Sequence, residues 1–215
     1  MAMRYVVIGN SAAGVFAADA IRARDPDGSV TIVSEEREQA YSRCLTTYYV
    51  GGQTTAEHMR IRPDDHNERL RIEFVGGKRV TGIRPAEREI DLDDGSAIGY
   101  DKLLIASGAS ANRQEIEGAG PGDVFVMRTM ADADALLAAI DGQRKRVAVL
   151  GAGLVSLKTA GALAEHGQDI TIVVTSQHIL SQQFDHESAD VLKRRLEDGG
   201  VRFIFGASAA RLMHG

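Results

Sequence analysis

The only cysteine of the chain, Cys44, lies in the stretch AYSRCLTTYY at residues 40–49. A free cysteine is often a small buried residue with no chemical role, and composition alone favours that interpretation. A thiolate, in contrast, can attack a disulfide or cycle through a sulfenic acid. The adjacent Arg43 and a helix that starts at or just after the cysteine would both stabilise the thiolate.

Two glycine-rich segments could each hold a phosphate group. They read GNSAAG at residues 9–14 and GAGLVS at residues 151–156, with Ser11 and Ser156 replacing one glycine each. Both follow a short β-branched run and precede a helical pattern, so the free N–H groups at the helix start would face a pyrophosphate. One such motif is a weak signal, but two in the strand–turn–helix context predict two dinucleotide sites.

An acid about 20 residues beyond such a turn commonly binds the ribose of the dinucleotide. Glu35 occupies that position after the first turn, and Glu36 is the alternative if the register shifts by one. The matching strand end after the second turn reads VVTSQH and carries no acid, arginine or lysine. The choice between NADH and NADPH therefore stays open.

The elements that must position these residues repeat along the chain. A strand at residues 4–8, a helix at 12–24 and a strand at 29–34 form one βαβ pattern, and strands at 145–150 and 169–174 flank a second helix. The distance between the two turns is too long for a solenoid repeat and predicts two similar domains.

The remaining segments fill in the predicted fold. Alternation and turn signals between residues 71 and 109 predict a small antiparallel element. Thr129 and Asp132 resemble a capping box that opens a helix. The expected class is α/β, with two Rossmann-like domains of three layers and mostly parallel sheet, at residues 1–112 and 113–215.

Composition excludes several classes of function. The chain has 215 residues, a net charge of −5 and a pI of about 5.7, which argue against nucleic acid or an anionic membrane surface as the partner. No apolar run approaches the roughly 20 residues that span a bilayer, and we identify no signal peptide. A single cysteine fits a reducing cytoplasm. The six histidines are scattered without metal-like spacing.

Three stretches together resemble one family. VVIGNSAAG, YDKLLIASGA at residues 100–109 and VAVLGAGLVSLKTAGAL follow the order of motifs in the pyridine nucleotide-disulfide oxidoreductases. The resemblance implies that the first turn binds FAD and the second binds NAD(P)H. Ser107 replaces the threonine of the family's Ala-Thr-Gly, and Lys158 stands where the family commonly has glutamate.

AYSRCLTTYY resembles the redox-cysteine stretch of the single-cysteine branch, which includes NADH oxidases, NADH peroxidases and coenzyme A disulfide reductases. The Tyr-Ser-Arg segment is also similar to nitrite reductase flavin subunits, in which this cysteine need not be present. Ala12 occupies the place of the peroxidase histidine, which disfavours peroxide chemistry. In the coenzyme A branch of the family, an arginine at about the position of Arg22 helps to hold the substrate.

The resemblance implies an FAD-dependent NAD(P)H oxidoreductase that passes hydride through FAD to a disulfide, oxygen or a redox protein, with Cys44 as the catalytic residue. The alternative is a nucleotide-binding redox module without turnover, or an inactive fragment, because complete members of the family are longer. At full length the protein is expected to be a homodimer. The residues implied to bind cofactor are Gly9, Ser11, Ala12, Ala13, Gly14, Glu35, Arg43, Val80, Ala106, Ser107, Gly108, Gly151, Gly153, Leu154 and Val155.

Overall fold

The computed structural model describes residues 2–213, which divide into two compact units. Unit 1 comprises Met1–Arg43 and Glu57–Ala109, and unit 2 comprises Cys44–Ala56 and Ser110–Gly215. Residues 44–56, which the expected boundary after residue 112 assigns to the first domain, therefore cluster with unit 2. The chain thus leaves unit 1 after Arg43, returns to it at Glu57 and leaves it again after Ala109.

Unit 1 is built on a parallel sheet whose strands follow the order β3-β2-β1-β7. Among these four strands, the β-branched runs of the inner two, β1 and β2, are largely buried from both faces, as is typical of parallel sheets, whereas Ile105 of the edge strand β7 is exposed. Their bounds are β1 Arg4–Ile8, β2 Ser29–Ser34, β3 Ile72–Gly76 and β7 Lys102–Ile105.

Two different layers cover the faces of this sheet. On one face α1 packs through Ala18 and Ile21 against alternate strand residues such as Val7 and Ile32. On the other face a small antiparallel sheet buries Val6, Ile8 and Val33 beneath its own apolar residues. The covering elements are α1 Ala12–Arg24 and α3 His66–Arg69, and then β4 Val80–Arg84, β5 Glu89–Leu92 and β6 Ala97–Gly99.

Unit 2 repeats the parallel arrangement in the order β10-β9-β8. Its helices gather around one apolar core, to which α2, the short helix after Cys44, contributes Val50. The elements are α2 Thr46–Val50, α4 Met130–Ile140, β8 Arg146–Leu150, α5 Leu154–Glu165, β9 Asp169–Val174, α6 His186–Asp198 and β10 Arg202–Phe205.

The sheet of unit 2 is covered on one face only within the described residues. Ile170 and Ile172 point to the helices and are 0% exposed, whereas Val173, on the opposite face, is only half-buried. Beside Val173 in the register lies Ile204, which is 50% exposed. The matching position in unit 1, Val33, is 0% exposed beneath the antiparallel sheet.

The predicted α/β class with two Rossmann-like domains and a small antiparallel element is confirmed. The first helix spans the predicted residues Ala12–Arg24, and the capping box of Thr129 and Asp132 is formed at the start of α4. Within residues 2–213 no helix has both the length and the apolar character that a bilayer crossing needs.

Arg22 is a structural clamp rather than a free surface charge. Its guanidinium lies at the end of α1 and joins that helix to the turn before β2 and to the segment before β3. It donates hydrogen bonds to the backbone carbonyls of Asp25, Pro26, Gly28, Leu70 and Arg71. A guanidinium whose three nitrogens are all engaged by backbone carbonyls is fixed in place within unit 1.

A polar clamp joins the starts of β1 and β7. The Asp101 carboxylate accepts hydrogen bonds from the side chain and the backbone N–H of Arg4, and these bonds hold the pKa of Asp101 below its usual 3.8. A carboxyl whose pKa is lowered on folding stabilises the folded state above its unfolded pKa. That contribution is lost as the pH falls through the folded value.

We therefore expect Asp101→Asn to lower the free energy of unfolding at neutral pH, with the difference from the wild type shrinking as the pH falls below 3.8. Urea unfolding at a series of pH values measures this difference in the free energy of unfolding. Asp27→Asn removes an exposed carboxylate that has no ion pair among the described residues, and serves as the control. A difference between Asp101→Asn and the wild type that does not change with pH would contradict the assignment.

Candidate functional site

The first turn leaves room for glycine alone at two positions. Gly9 has a φ of +115°, which L-residues rarely adopt, and a Cβ there would lie 2.3 Å from the carbonyl oxygen of Ala106. Gly14 lies inside α1, where a Cβ would meet the carbonyl oxygen of Gly9 at 1.9 Å. These contacts pack the helix start directly against the end of β1.

The start of α1 is open to an anion. Ser11 is the N-cap residue but makes no side-chain capping bond, and the first turn contains no acid. Ala12 and Ala13, which begin the helix, are both exposed. The first N–H groups of the helix therefore lack a partner from its own cap, and the positive end of the helix dipole faces outward.

The second turn has the same construction. Gly151 has a φ of +90°, and Gly153 is the N-cap of α5 with no side-chain capping bond. A Cβ on Gly153 would have no atom within 4 Å. Leu154 and Val155, the first two helical residues, are exposed despite being apolar. The backbone at this helix start is thus accessible to a ligand as large as a pyrophosphate.

The other two long helices of unit 2 are capped by their own side chains. The Thr129 side chain accepts a hydrogen bond from the backbone N–H of Asp132 at the start of α4. Asp185 accepts from the backbone N–H of Ser188 at the start of α6, and this bond lowers the pKa of Asp185. Of the four helices α1, α4, α5 and α6, only α1 and α5, which follow the glycine turns, have a start that no side chain caps.

The segment after β7 lies against the first turn. The backbone N–H of Ala106 donates to the carbonyl of Ile8 at 2.8 Å, and the Ala106 carbonyl faces Gly9. Ser107 and Gly108 follow, both exposed, and Gly108 has a φ of +69°. The two stretches that the sequence assigned to one cofactor are therefore brought together in unit 1.

The two candidate ribose acids differ in what they bind. Glu35 is exposed, with no hydrogen bond or ion pair in the described part of the chain. Glu36 accepts a hydrogen bond from the Tyr41 hydroxyl at 2.5 Å and forms an ion pair with Arg43. The Arg43 guanidinium also lies 5.3 Å from the centre of the Tyr41 ring. Glu35 is thus available to a ligand, and the charge of Arg43 is neutralised by Glu36.

Val80 differs from the other candidate residues. It begins β4, pairs with Leu92 and packs its half-buried side chain into the apolar layer of unit 1. Its side chain thus belongs to the core of that unit.

Cys44 lies in a 3-10 turn, Arg43–Leu45, immediately before α2, and it is exposed. The competing interpretation from composition, a buried core cysteine, therefore does not hold. The C-terminal end of α2 is fixed within unit 2 by two hydrogen bonds. The Tyr49 hydroxyl donates to Asp134 at 2.9 Å, which together with burial raises the pKa of Tyr49, and the Val50 carbonyl lies 2.6 Å from Nε2 of His166.

Sequence reasoning missed two side-chain groupings. His66 is buried, and its Nε2 lies 2.7 Å from Asp19, which also pairs with Arg62. Lys158 places its ammonium group 3.9 Å from the centre of the Tyr48 ring. Both join residues far apart in the chain, so no local pattern could have revealed them. Within residues 2–213 no three side chains form a cluster able to hold a metal.

Comparison with known proteins agrees with this geometry. The sequence pattern of the family described as pyridine nucleotide-disulphide oxidoreductase matches residues 3–214. The chain belongs to this family. Its members are oxidoreductases that use FAD and NAD(P)H. The two open helix starts, each opened by a glycine with positive φ, fit the pyrophosphates of these two cofactors.

Individual relatives agree on the class of protein. The chain is 33% identical to the epsilon subunit of an NADH-dependent phenylglyoxylate dehydrogenase from Aromatoleum evansii, over 97% of this chain and 49% of that one. It is 30% identical to a probable ferredoxin reductase, CtmF, from Castellaniella defragrans, over 97% and 51% respectively. It thus spans about half the length of these curated relatives.

Among solved structures, a NAD-dependent persulfide reductase from A. fulgidus superposes with a TM-score of 0.91 at 27% identity. The match covers 99% of this chain and 41% of that one.

Gly153→Ala should separate folding from nucleotide binding. The added methyl group meets no atom within 4 Å and the backbone φ is −77°, so we expect the free energy of unfolding to change by less than about 1 kcal/mol. The same methyl group would stand where a pyrophosphate approaches the backbone, so NADH and NADPH should bind at least about tenfold more weakly.

Fluorescence titration with NADH and thermal unfolding measure the two effects. Gly161→Ala is the matched control, since this glycine lies in the interior of the same helix with open space around it. It should stabilise the chain by about 0.5–1 kcal/mol and leave nucleotide binding unchanged. Equal binding by the Gly153→Ala variant and the wild type would exclude this turn as the nucleotide site.

Gly14→Ala, unlike Gly153→Ala, should lower the stability of the fold. Its methyl group would overlap the Gly9 carbonyl oxygen, so α1 must move away from β1. We expect a loss of about 2 kcal/mol or more in the free energy of unfolding, measured by urea denaturation. Retention of wild-type stability would show that the close packing of helix and turn is not needed.

Proposed function

We propose that this chain is the nucleotide-binding part of an FAD-dependent NAD(P)H oxidoreductase. One observation carries the proposal: two glycine turns with positive φ, Gly9 and Gly151, each open a helix whose start no side chain caps. As part of this proposal, residues 1–112 hold FAD and residues 113–215 hold NAD(P)H. When bound, FAD supplies the hydride and electron chemistry that amino-acid side chains lack.

The roles of the binding residues follow from their positions. The backbone around Ser11, Ala12 and Ala13 donates to the FAD pyrophosphate, and the backbone of residues 153–155 does the same for NAD(P)H. Glu35 accepts from a ribose hydroxyl of FAD. Support for this choice comes from its free carboxylate, since Glu36 is engaged by Tyr41 and Arg43.

The electron acceptor is a disulfide or persulfide, oxygen, or a redox protein. The exposure of Cys44 at the start of a helical run and the similarity to a NAD-dependent persulfide reductase support the first of these. Similarity to a probable ferredoxin reductase supports a redox protein. We further propose that the protein acts in the reducing cytoplasm and is a homodimer at full length, in line with its single cysteine and its family.

Anaerobic addition of NADH or NADPH to the flavin-loaded full-length protein tests the function directly. We expect loss of the yellow flavin absorbance, followed by turnover with at least one acceptor from a panel of disulfides, oxygen and ferredoxins. Cys44→Ser should abolish turnover with disulfides while leaving reduction by NAD(P)H intact. A protein that binds nicotinamide nucleotide but never takes up flavin would instead be a binding module.

Replacement of the two neighbouring acids should distinguish their roles. Glu35→Gln should weaken FAD binding about tenfold, the loss of one charge-assisted hydrogen bond, without a change in stability. Glu36→Gln should lower stability because it leaves the half-buried Arg43 without its ion pair.

Glu38→Gln, an exposed acid in the same loop, is the control and should change neither property. FAD titration followed by fluorescence, together with urea unfolding, measures both. Weaker FAD binding by Glu36→Gln but not Glu35→Gln would reverse the assignment.

A further inference from the structure

Asn10 joins the first glycine turn to the segment that follows β2. It is the second residue of the turn, and its half-buried side-chain amide donates a hydrogen bond to the backbone carbonyl of Glu38 at 3.2 Å. That distance is within the range of an N–H···O hydrogen bond. The turn that would face a pyrophosphate and the loop that carries the candidate ribose acids are therefore linked directly by one side chain.

The beginning of the same loop is held from another side. The backbone N–H of Glu36 donates to the Ser34 hydroxyl at 3.2 Å, and the Glu36 carbonyl accepts from the backbone N–H of Gly77 at 3.3 Å. Gly77 directly follows β3, so these contacts attach the loop to the β3 side of the sheet. The Asn10 amide instead attaches it to the glycine turn, and so sets how closely residues 35–38 approach the start of α1.

Glu35 lies at the start of this attached loop, directly after β2, and keeps its carboxylate free. Its side chain is exposed and has no hydrogen bond or ion pair in the described part of the chain. Ordering a loop on binding opposes binding, because the lost conformational freedom raises the free energy of the complex. A loop that is fixed beforehand, with its acid still unoccupied, avoids that loss.

The second turn is joined to the matching segment by a different bond. The two turns correspond, since Gly9 and Gly151 each donate a backbone hydrogen bond at 2.8 Å to the neighbouring strand, β2 and β9 respectively. In the second turn Ala152 takes the place of Asn10, and its carbonyl accepts from the backbone N–H of Leu180 at 3.0 Å. Both turns are thus linked to the segment after that strand, although the atoms differ. This repetition favours a role in binding over a peculiarity of one loop.

We propose that Asn10 is a positioning residue for FAD: it holds residues 35–38 against the first turn and thereby sets the distance between the Glu35 carboxylate and the pyrophosphate. This rests on the proposed function and deepens it by naming the residue that aligns the two binding groups. Asn10 acts through Glu35 and does not itself bind the ribose. Because its bond is present without cofactor, the loop is ordered before FAD arrives.

Two flavin ligands measure this alignment in the full chain. One is FAD, the other is an FAD analogue whose adenosine ribose lacks both hydroxyl groups, and flavin fluorescence gives both dissociation constants. We expect the wild type to bind FAD about tenfold more tightly than the analogue, the effect of one charge-assisted hydrogen bond. The ratio of the two constants reports on the ribose contact, whereas the affinity for the analogue reports on the pyrophosphate site.

Variants assign the ribose preference to Asn10 and Glu35 together. Asn10→Leu removes the donor with little change in side-chain size. It should reduce the preference for FAD to about threefold or less, while affinity for the analogue stays within about twofold of the wild type. Asn10→Gln keeps an amide and should retain more of the preference than Asn10→Leu. Glu35→Gln should abolish the preference, and the addition of Asn10→Leu to it should cause no further loss.

Hydrogen–deuterium exchange of the cofactor-free chain tests the attachment itself. The amides of residues 35–39 should exchange faster in Asn10→Leu than in the wild type, whereas those of β2 should not change. Asn67→Ala is the matched control, since Asn67 is a half-buried asparagine of α3 with no side-chain hydrogen bond among residues 2–213. It should alter neither the exchange of this loop nor the ratio of the two dissociation constants.

An Asn10→Leu variant that keeps the full preference for FAD would overturn the inference, and so would unchanged exchange of residues 35–39. Equal weakening of FAD and the analogue would assign Asn10 to the shape of the turn and would overturn it as well. In each of these cases the wild type still binds FAD, so the proposed function stands. A wild type that binds neither flavin ligand refutes the proposed function instead, and the ribose role of Asn10 with it.

Discussion

Unit 1 depends on the close approach of three pieces of backbone at the end of β1. Gly9, Gly14 and Ala106 come so near to each other that a single added methyl group would overlap a carbonyl oxygen. This contact sets where α1 starts, and the start of α1 is the surface that an anion would meet. Folding and ligand binding in this unit therefore rest on the same few atoms, so few substitutions there can alter one without the other.

The second turn also precedes an open helix start, but its glycines are packed less tightly than those of the first turn. Gly151 keeps a positive φ, but Ser156 stands where the first turn has Gly14, and a Cβ on Gly153 is free of contacts. In unit 2 the glycines are needed for what approaches from outside rather than for the packing inside. Side-chain contacts instead fix the neighbouring α2, through Tyr49, Val50 and Tyr48.

Local signals in the sequence were enough to predict most of the fold. The first helix and the capping box at Thr129 follow from spacing and turn chemistry within a few residues, which is why they were found from sequence alone. The choice between Glu35 and Glu36 needed the structure, because it depends on Arg43 folding back over Tyr41. The burial of His66 could not be predicted, since nothing near it in sequence reveals its contact with Asp19. Pairs such as Lys158 and Tyr48 arise only when distant helices meet.

The uncovered face of the sheet in unit 2 has an energetic consequence. Apolar side chains there, Val173 and Ile204 among them, remain partly in water, whereas Val33, the counterpart of Val173 in unit 1, is removed from it. Each 100 Å² of such surface forgoes about 2.5 kcal/mol of hydrophobic stabilisation. In this chain the amides of β9 and β10 should consequently exchange their hydrogens for deuterium sooner than those of β1 and β2.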